Sequence, residues 1–117
     1  MSMSRRTINQ NRREYEIMLA YMVNKYPSTF FPSGVTPRAL KIGILHDILA
    51  DNPDVPKRQI RRFVGSYTRK NRYLRALVDN VFRIKLDGTV DAPVHVDNKT
   101  FAAAMLAGRK AEAKAAA

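Results

Sequence analysis

Residues 57–75 read KRQIRRFVGSYTRKNRYLR, with eight Lys or Arg among nineteen positions and no Asp or Glu. The apolar spacing i, i+3, i+4 and i+7 gathers side chains on one side of a helix, and it is met here by Ile60, Phe63, Val64 and Tyr67. The stretch therefore predicts a helix with one buried side and one cationic side. Like charges on neighbouring turns repel by about 0.2–0.5 kcal/mol per pair. A basic face without acids therefore indicates an anionic partner.

The whole chain is basic as well. Its 117 residues include 21 Lys and Arg against 10 Asp and Glu, a formal net charge of +11. Such a charge is typical of proteins that bind nucleic acids and, secondarily, of proteins that bind anionic membrane surfaces. The length suits a single domain with its own core. No apolar run approaches the roughly 20 residues of a membrane span, so the sequence predicts a soluble, cytoplasmic protein.

The remaining helices are predicted from their apolar spacing and their stop signals. Residues 1–13 carry arginines and little apolar surface, which predicts a mobile basic arm. From Glu14 a helical spacing begins that Pro27 ends. A second helix is expected over 41–50, before Asn52 and Pro53. Its inward side chains would be Ile44, Leu45, Ile48 and Leu49.

The segments around these helices have weaker or shorter patterns. Residues 30–40 contain prolines and a glycine among aromatic residues, which predicts a turn or a short hairpin. Residues 82–94 alternate around Asp87-Gly88, the pattern of a two-stranded hairpin. Beyond Asp97 the chain is rich in alanine, and the side chains that could anchor a helix there are Phe101, Met105 and Leu106.

Catalytic and metal-binding chemistry finds little support. His46 and His95 are the only histidines, and neither lies in a catalytic motif. No glycine-rich phosphate loop is present, and cysteine is absent, which excludes disulfides and thiolate zinc sites. The acids around Asp47 lack the loop pattern of a calcium site. The sequence predicts no enzyme, no cofactor, no metal and no small-molecule substrate.

The apolar phase breaks near the middle of the basic stretch. A new stripe then begins with Leu74 and Leu77, so a fresh helix is expected to start after a cap at Thr68 or Asn71. A helix N-terminus has unpaired amide groups and a partial positive charge that favour a phosphate. Tyr67 fits the buried stripe, whereas Tyr73 falls off the new stripe and is predicted to be free to meet a ligand.

Several fragments, in this order and spacing, resemble the ProQ/FinO domain of bacterial RNA chaperones. They are RALKIGI at 38–44, Asp47, KRQIRR at 57–62, YT at 67–68, RYL at 72–74 and RIKLDG at 83–88. The resemblance covers about residues 14–95. It implies a compact, mostly α fold with short β-hairpins (α+β), spanning 14–96 between the arm at 1–13 and an Ala-rich C-terminal helix or tail at 97–117.

The resemblance also implies a ligand and the residues that bind it. The ligand is structured RNA, notably a terminator-type hairpin followed by a single-stranded U-rich 3′ end. The implied 3′-end pocket contains Thr68, Arg69, Lys70, Asn71, Arg72, Tyr73 and Arg83. Stem and backbone contacts are expected at Arg38, Lys41, Lys57, Arg58, Arg61 and Arg62. The chain departs from the family at Gly65, where relatives often carry a basic residue, and at Asn71, where some carry an aromatic.

These observations predict a monomeric, non-enzymatic RNA chaperone that acts on small RNAs and mRNA 3′ ends in post-transcriptional regulation. Recognition would depend on RNA shape, backbone and strand end, because the A-form major groove hides base edges. Two other hypotheses remain open. One is a helix-turn-helix protein that places its basic helix in the DNA major groove. The other is a ribosome-associated or protein-interaction module whose basic face is incidental.

Overall fold

The computed structural model describes residues 5–116, and their side chains from Thr7 onward. Within these residues the chain forms five helices and one two-stranded antiparallel sheet. In chain order the elements are α1 (Arg5–Lys25), α2 (Ile44–Asp51), α3 (Lys57–Thr68), α4 (Asn71–Asp79), β1 (Phe82–Ile84), β2 (Val90–Pro93) and α5 (Val96–Ala116). The predicted α+β fold class is confirmed, with helices dominating. No helix in this part of the chain is both long and apolar enough to cross a membrane.

The first helix begins earlier than the sequence pattern predicts. It runs over Arg5–Lys25 without a break, so the start expected at Glu14 is wrong and most of the predicted arm is helical. Residues 1–4 of that arm lie outside the described residues. The core-facing side chains begin only at Tyr15, which is half-buried, and Met18, which is buried. The apolar spacing therefore located the packed part of α1 and not its N-terminus.

The centre of the core is the predicted apolar stripe of α3. Ile60, Phe63 and Tyr67 are buried, and fully burying one such side chain contributes about 1.5–3 kcal/mol. The Phe63 ring stacks on Tyr15 of α1 at 5.4 Å between centroids and meets Phe30 edge-on at 5.6 Å. These contacts attach α3 to α1 and to the loop after it. The cationic side of α3 is consequently left facing solvent.

The loop before α2 forms turns and not a hairpin. Residues 30–40 contain no strand, and only Leu40 forms an isolated parallel bridge, to Ile84 of β1. The Ile84 amide donates to the Ala39 carbonyl at 2.9 Å, and the Lys41 amide donates to the Ile84 carbonyl at 2.8 Å. This pairing holds the backbone of Leu40 against the hairpin.

The hairpin at 82–94 is confirmed, with strands β1 and β2 and a turn at Asp87-Gly88. Gly88 has φ of 85°, in the left-handed region that glycine adopts without a Cβ penalty. A Cβ at this position would also lie 2.6 Å from Ser28 Cβ. Both the backbone angle and the close approach of Ser28 therefore require glycine here.

The C-terminal helix α5 packs on α4 through residues other than the predicted anchors. Phe101 is 60% exposed and Met105 is 37% exposed, so these two predictions are wrong, while Leu106 is partly buried. The fully buried contact is Ala102, whose small side chain allows a close approach to α4. Lys99 caps the end of α4 by donating to the carbonyls of Val78 at 2.8 Å and Asn80 at 2.6 Å. Ala117 lies outside the described residues.

Candidate nucleic-acid interface

The exposed side of α3 carries cations without acidic partners. Lys57, Arg58 and Arg61 are exposed, and within residues 5–116 none of them forms an ion pair. Arg62 differs, because its guanidinium lies 3.6 Å from the Glu14 carboxylate and donates to Asn11 Oδ1 at 3.0 Å. The predicted stem-binding residues of α3 are thus three free cations and a fourth that is tied to α1.

The two other predicted stem-binding residues lie in the segment before α2. Arg38 is exposed. The Lys41 ammonium forms an ion pair with the Asp47 carboxylate at 2.9 Å. This hydrogen bond and the charge of Asp47 raise the pKa of Lys41 above its ordinary value. Lys41 is therefore protonated at neutral pH, with its charge partly compensated by Asp47.

Tyr73 and Arg83 meet at the backbone of Leu40. The Tyr73 hydroxyl accepts a hydrogen bond from the Leu40 amide at 3.1 Å, and Arg83 Nη1 donates to the Leu40 carbonyl at 2.8 Å. Tyr73 is only 5% exposed and Arg83 only 7%. Tyr73 was predicted to lie off the apolar stripe, freer than Tyr67 to meet a ligand, and its burial corrects that expected position. It is buried because α4 packs against α5 on one side while its first turn faces the Leu40 segment.

The buried pair combines a neutral phenol with a guanidinium that has no acidic partner among the described residues. Burial raises the pKa of the Tyr73 hydroxyl, and the Leu40 amide and the Arg83 guanidinium act in the opposite direction. The phenol therefore keeps its proton at neutral pH and can donate it. Within the described residues Arg83 has no carboxylate partner, and its buried Nε has no hydrogen-bonding partner. A buried cation without an acid is costly, and an anionic ligand would compensate it.

The junction between α3 and α4 supplies a helix N-terminus at Asn71. The preceding residue, Lys70, occupies the N-cap position and makes no side-chain cap bond. Neither predicted cap is correct, because Thr68 ends α3 and its hydroxyl donates back to the Val64 carbonyl at 2.8 Å. Leu74 is the first residue whose amide reaches a carbonyl of this turn, that of Lys70 at 3.0 Å. The amides before it have no partner within α4.

The cationic side chains of the junction point in different directions. Arg69 folds back over α3, with its guanidinium 3.7 Å from where a Cβ at Gly65 would lie. The Lys70 ammonium lies over the Tyr15 ring of α1, 4.4 Å from its centroid. Arg72 donates to the Gly34 carbonyl at 3.1 Å. The structure therefore brings Tyr73 and Arg83 together as predicted for one pocket, but it does not gather the side chains of residues 68–72 around them.

Sequence reasoning missed Arg109 of α5. Its Nη1 donates to the Arg69 carbonyl at 2.7 Å and to Asn71 Oδ1 at 2.8 Å. One cation of α5 thus fastens both the end of α3 and the start of α4. No local pattern marks this residue, because it lies 38 positions from Asn71 in an Ala-rich helix. Only the packing of α5 along α4 brings it to the junction.

The contact between Tyr73 and Leu40 is testable by stability. We expect Tyr73→Phe to lower the free energy of unfolding by about 1–3 kcal/mol, because the buried Leu40 amide loses its acceptor. Urea denaturation followed by circular dichroism measures this change. A variant as stable as the parent would contradict a structural role for the hydroxyl.

A mainly helical core, one small hairpin and an exposed basic helix define a small cationic α+β domain. A sequence model of the ProQ/FINO family matches residues 12–117. The chain is 36% identical over 101 residues to the RNA chaperone ProQ of Shewanella pealeana, covering 84% of this chain and 47% of that protein. It is 33% identical over 98 residues to the RNA chaperone ProQ of Aliivibrio fischeri, covering 81% and 47%. The chain belongs to the ProQ/FinO family.

Solved structures show the same fold. A FinO-like RNA chaperone from Neisseria meningitidis superposes with a TM-score of 0.64 at 24% identity, over 78% of this chain and 92% of that one. A ProQ homolog from Legionella pneumophila gives a TM-score of 0.66 at 22% identity, over 83% of each chain. The chain spans about half the length of the two ProQ relatives described above.

Proposed function

We propose that this chain is an RNA chaperone that binds structured RNA, with a preference for a hairpin stem followed by a single-stranded U-rich 3′ end. It acts without catalysis, as a cytoplasmic monomer, on small RNAs and mRNA 3′ ends in post-transcriptional regulation. The observation that carries the proposal is the row of exposed, unpaired cations on α3, together with the buried Tyr73 and Arg83. The names of the ProQ and FinO-like relatives support the same class of function.

The α3 cations suit an RNA stem. Lys57, Arg58 and Arg61 are exposed on one helix and lack acidic partners, so each can neutralise a phosphate without first breaking an ion pair. Phosphate neutralisation releases condensed counterions and supplies most of the sequence-independent affinity for nucleic acids. Such a surface contacts the backbone of a stem and does not discriminate between base sequences.

The 3′ end is proposed to bind at the first turn of α4. Helical side chains lean toward the N-terminus of their helix, so Tyr73 lies beneath the turn whose amides are free. The phosphate that links the last two nucleotides would accept from these amides, and the terminal ribose hydroxyl could accept the Tyr73 proton. Arg83 supplies an uncompensated positive charge below the same turn. This arrangement favours the end of a single strand over the middle of a duplex.

The experiment compares four ligands: a terminator hairpin with its tail, the same hairpin without it, the tailed hairpin with a 3′-terminal phosphate, and a DNA duplex. We expect the first to bind most tightly. Tyr73→Phe should weaken binding of the tailed hairpin by about 0.5–1.5 kcal/mol, the net value of one hydrogen bond. Its effect on the tailless hairpin should be close to zero, and the double-mutant cycle gives the coupling.

Arg61→Ala is the matched control, because a stem contact is lost equally from tailed and tailless hairpins. Equal losses for Tyr73→Phe on both RNAs would contradict a pocket for the 3′ end. Tighter binding of the DNA duplex than of either hairpin would contradict the RNA preference itself and favour the helix-turn-helix alternative. Circular dichroism at the assay temperature verifies that each variant is folded.

A further inference from the structure

Gly65 lies inside α3 at a position where glycine has no conformational reason to be. A glycine within a helix is less stable than an alanine, because it loses more conformational freedom on folding. The glycines with positive φ are Gly34, Gly43 and Gly88, and Gly65 is not among them. A Cβ at Gly65 would lie 3.7 Å from both Nη1 and Nη2 of Arg69 and 3.9 Å from its Cζ, which is ordinary van der Waals contact. The space beside Gly65 is thus occupied by the Arg69 guanidinium.

Because the side chain folds back along α3, the charge of Arg69 lies beside Gly65, four residues before its own backbone. Position 65 is one helical turn beyond Arg61 and Arg62, so the guanidinium extends the row of cations along α3. It does not point to the first turn of α4, where a 3′-end residue would be needed. Within residues 5–116 Arg69 forms no ion pair, and its carbonyl is held by Arg109 Nη1 at 2.7 Å.

We infer that Arg69 is a stem-binding residue whose ligand is a backbone phosphate of the RNA stem. The small residue at Gly65 leaves the space in which the Arg69 guanidinium lies against α3. The inference rests on the proposed function. A guanidinium binds a phosphate through two parallel N–H donors. Glycine at 65 therefore leaves no gap in the basic face, because Arg69 supplies a cation at that level from four residues farther along.

The space that the Arg69 guanidinium occupies limits the size of the side chain at position 65. A methyl group fits, since it would meet the guanidinium only at contact distance. A longer uncharged side chain would occupy the volume that the guanidinium fills and would displace it. Gly65→Ala should therefore keep RNA affinity, whereas Gly65→Leu should lower it by the same factor as Arg69→Ala.

The test measures binding of tailed and tailless hairpins to Arg69→Ala, with Lys110→Ala as a control that also removes one exposed cation. We expect Arg69→Ala to weaken binding of both hairpins about fivefold at 0.15 M salt. The plot of log affinity against log salt concentration should become less steep by about 1. Adding Gly65→Arg to Arg69→Ala should restore affinity, because it returns a guanidinium to the same level of α3. Adding Ala103→Arg on α5 instead should not.

Each other outcome overturns the inference. A loss confined to the tailed hairpin would assign Arg69 to the 3′ end and leave the proposed function standing. Equal rescue by Ala103→Arg would show that only net charge matters. Failure of the parent protein to bind either hairpin would overturn the proposed function itself, and the inference with it. Unchanged binding by Arg69→Ala would show that its guanidinium has no role in RNA contact.

Discussion

Phe63→Ala is expected to destabilise the domain by about 3–5 kcal/mol, the range for truncating a buried aromatic residue. Phe63 is 2% exposed and contacts the rings of Tyr15, Phe30 and Tyr67, so its removal leaves a cavity at the junction of α1, α3 and the loop after α1. A domain of this size has about 5–15 kcal/mol of total stability. The variant should therefore melt about 10–30 °C lower, as measured by circular dichroism.

The matched control is Arg58→Ala, five positions earlier on the same helix. Arg58 is exposed and unpaired in the described part of the chain, so its removal should leave the melting temperature nearly unchanged. The two variants separate the buried and the exposed sides of α3. Unaltered melting of Phe63→Ala would show that α3 packs with a different face toward the core.

The second large effect is expected on RNA affinity. Replacing Lys57, Arg58 and Arg61 together with alanine should lower affinity for a hairpin on the order of 100-fold at 0.15 M salt. Each lost phosphate contact removes about one unit of the log–log salt slope, so the slope should become less steep by about 2–3. Titrations at several salt concentrations measure both quantities on the same protein.

A control variant removes three cations elsewhere, Arg13, Lys110 and Lys114, all of them exposed. It has the same net charge as the α3 variant. If the two lost affinity and salt dependence to the same extent, binding would depend on the total charge of the chain and not on the α3 surface. Parallel melting curves should show both variants folded, because all six side chains lie on the surface.

Sequence patterns predicted the parts of this protein that depend on neighbouring residues. The prediction of the buried apolar stripe of α3 was correct, because helix geometry alone sets the spacing of side chains that share a face. The hairpin at 82–94 was correct because Asp87-Gly88 supplies the positive φ that its turn needs. The prediction was wrong for the N-terminal part of α1, where no residue type marks the boundary of the helix. Nothing before Glu14 breaks a helix, so the sequence alone could not show that α1 already includes Arg5.

The candidate site was predictable in part. The charge of α3 is visible in its composition, and the pairing of Tyr73 with Arg83 was implied by the family resemblance. The burial of Tyr73 was not predictable, because α4 is covered on more than one side and its apolar stripe marks only one of them. The exposure of Phe101 and Met105 was not predictable either. The packing against α4 and the contacts of Lys99 and Arg109 determine which face of α5 is buried.

The sequence by itself determined the positive charge of this protein, the helical spacing of its core and the hairpin turn, because each of these follows from residue type and local geometry. The tertiary structure alone decided which cations are free. Arg62 of α3 is paired with Glu14 of α1, and Lys41, in the segment before α2, is paired with Asp47 of α2. These pairings depend on how side chains from separate elements meet in space, and no spacing along the chain encodes that.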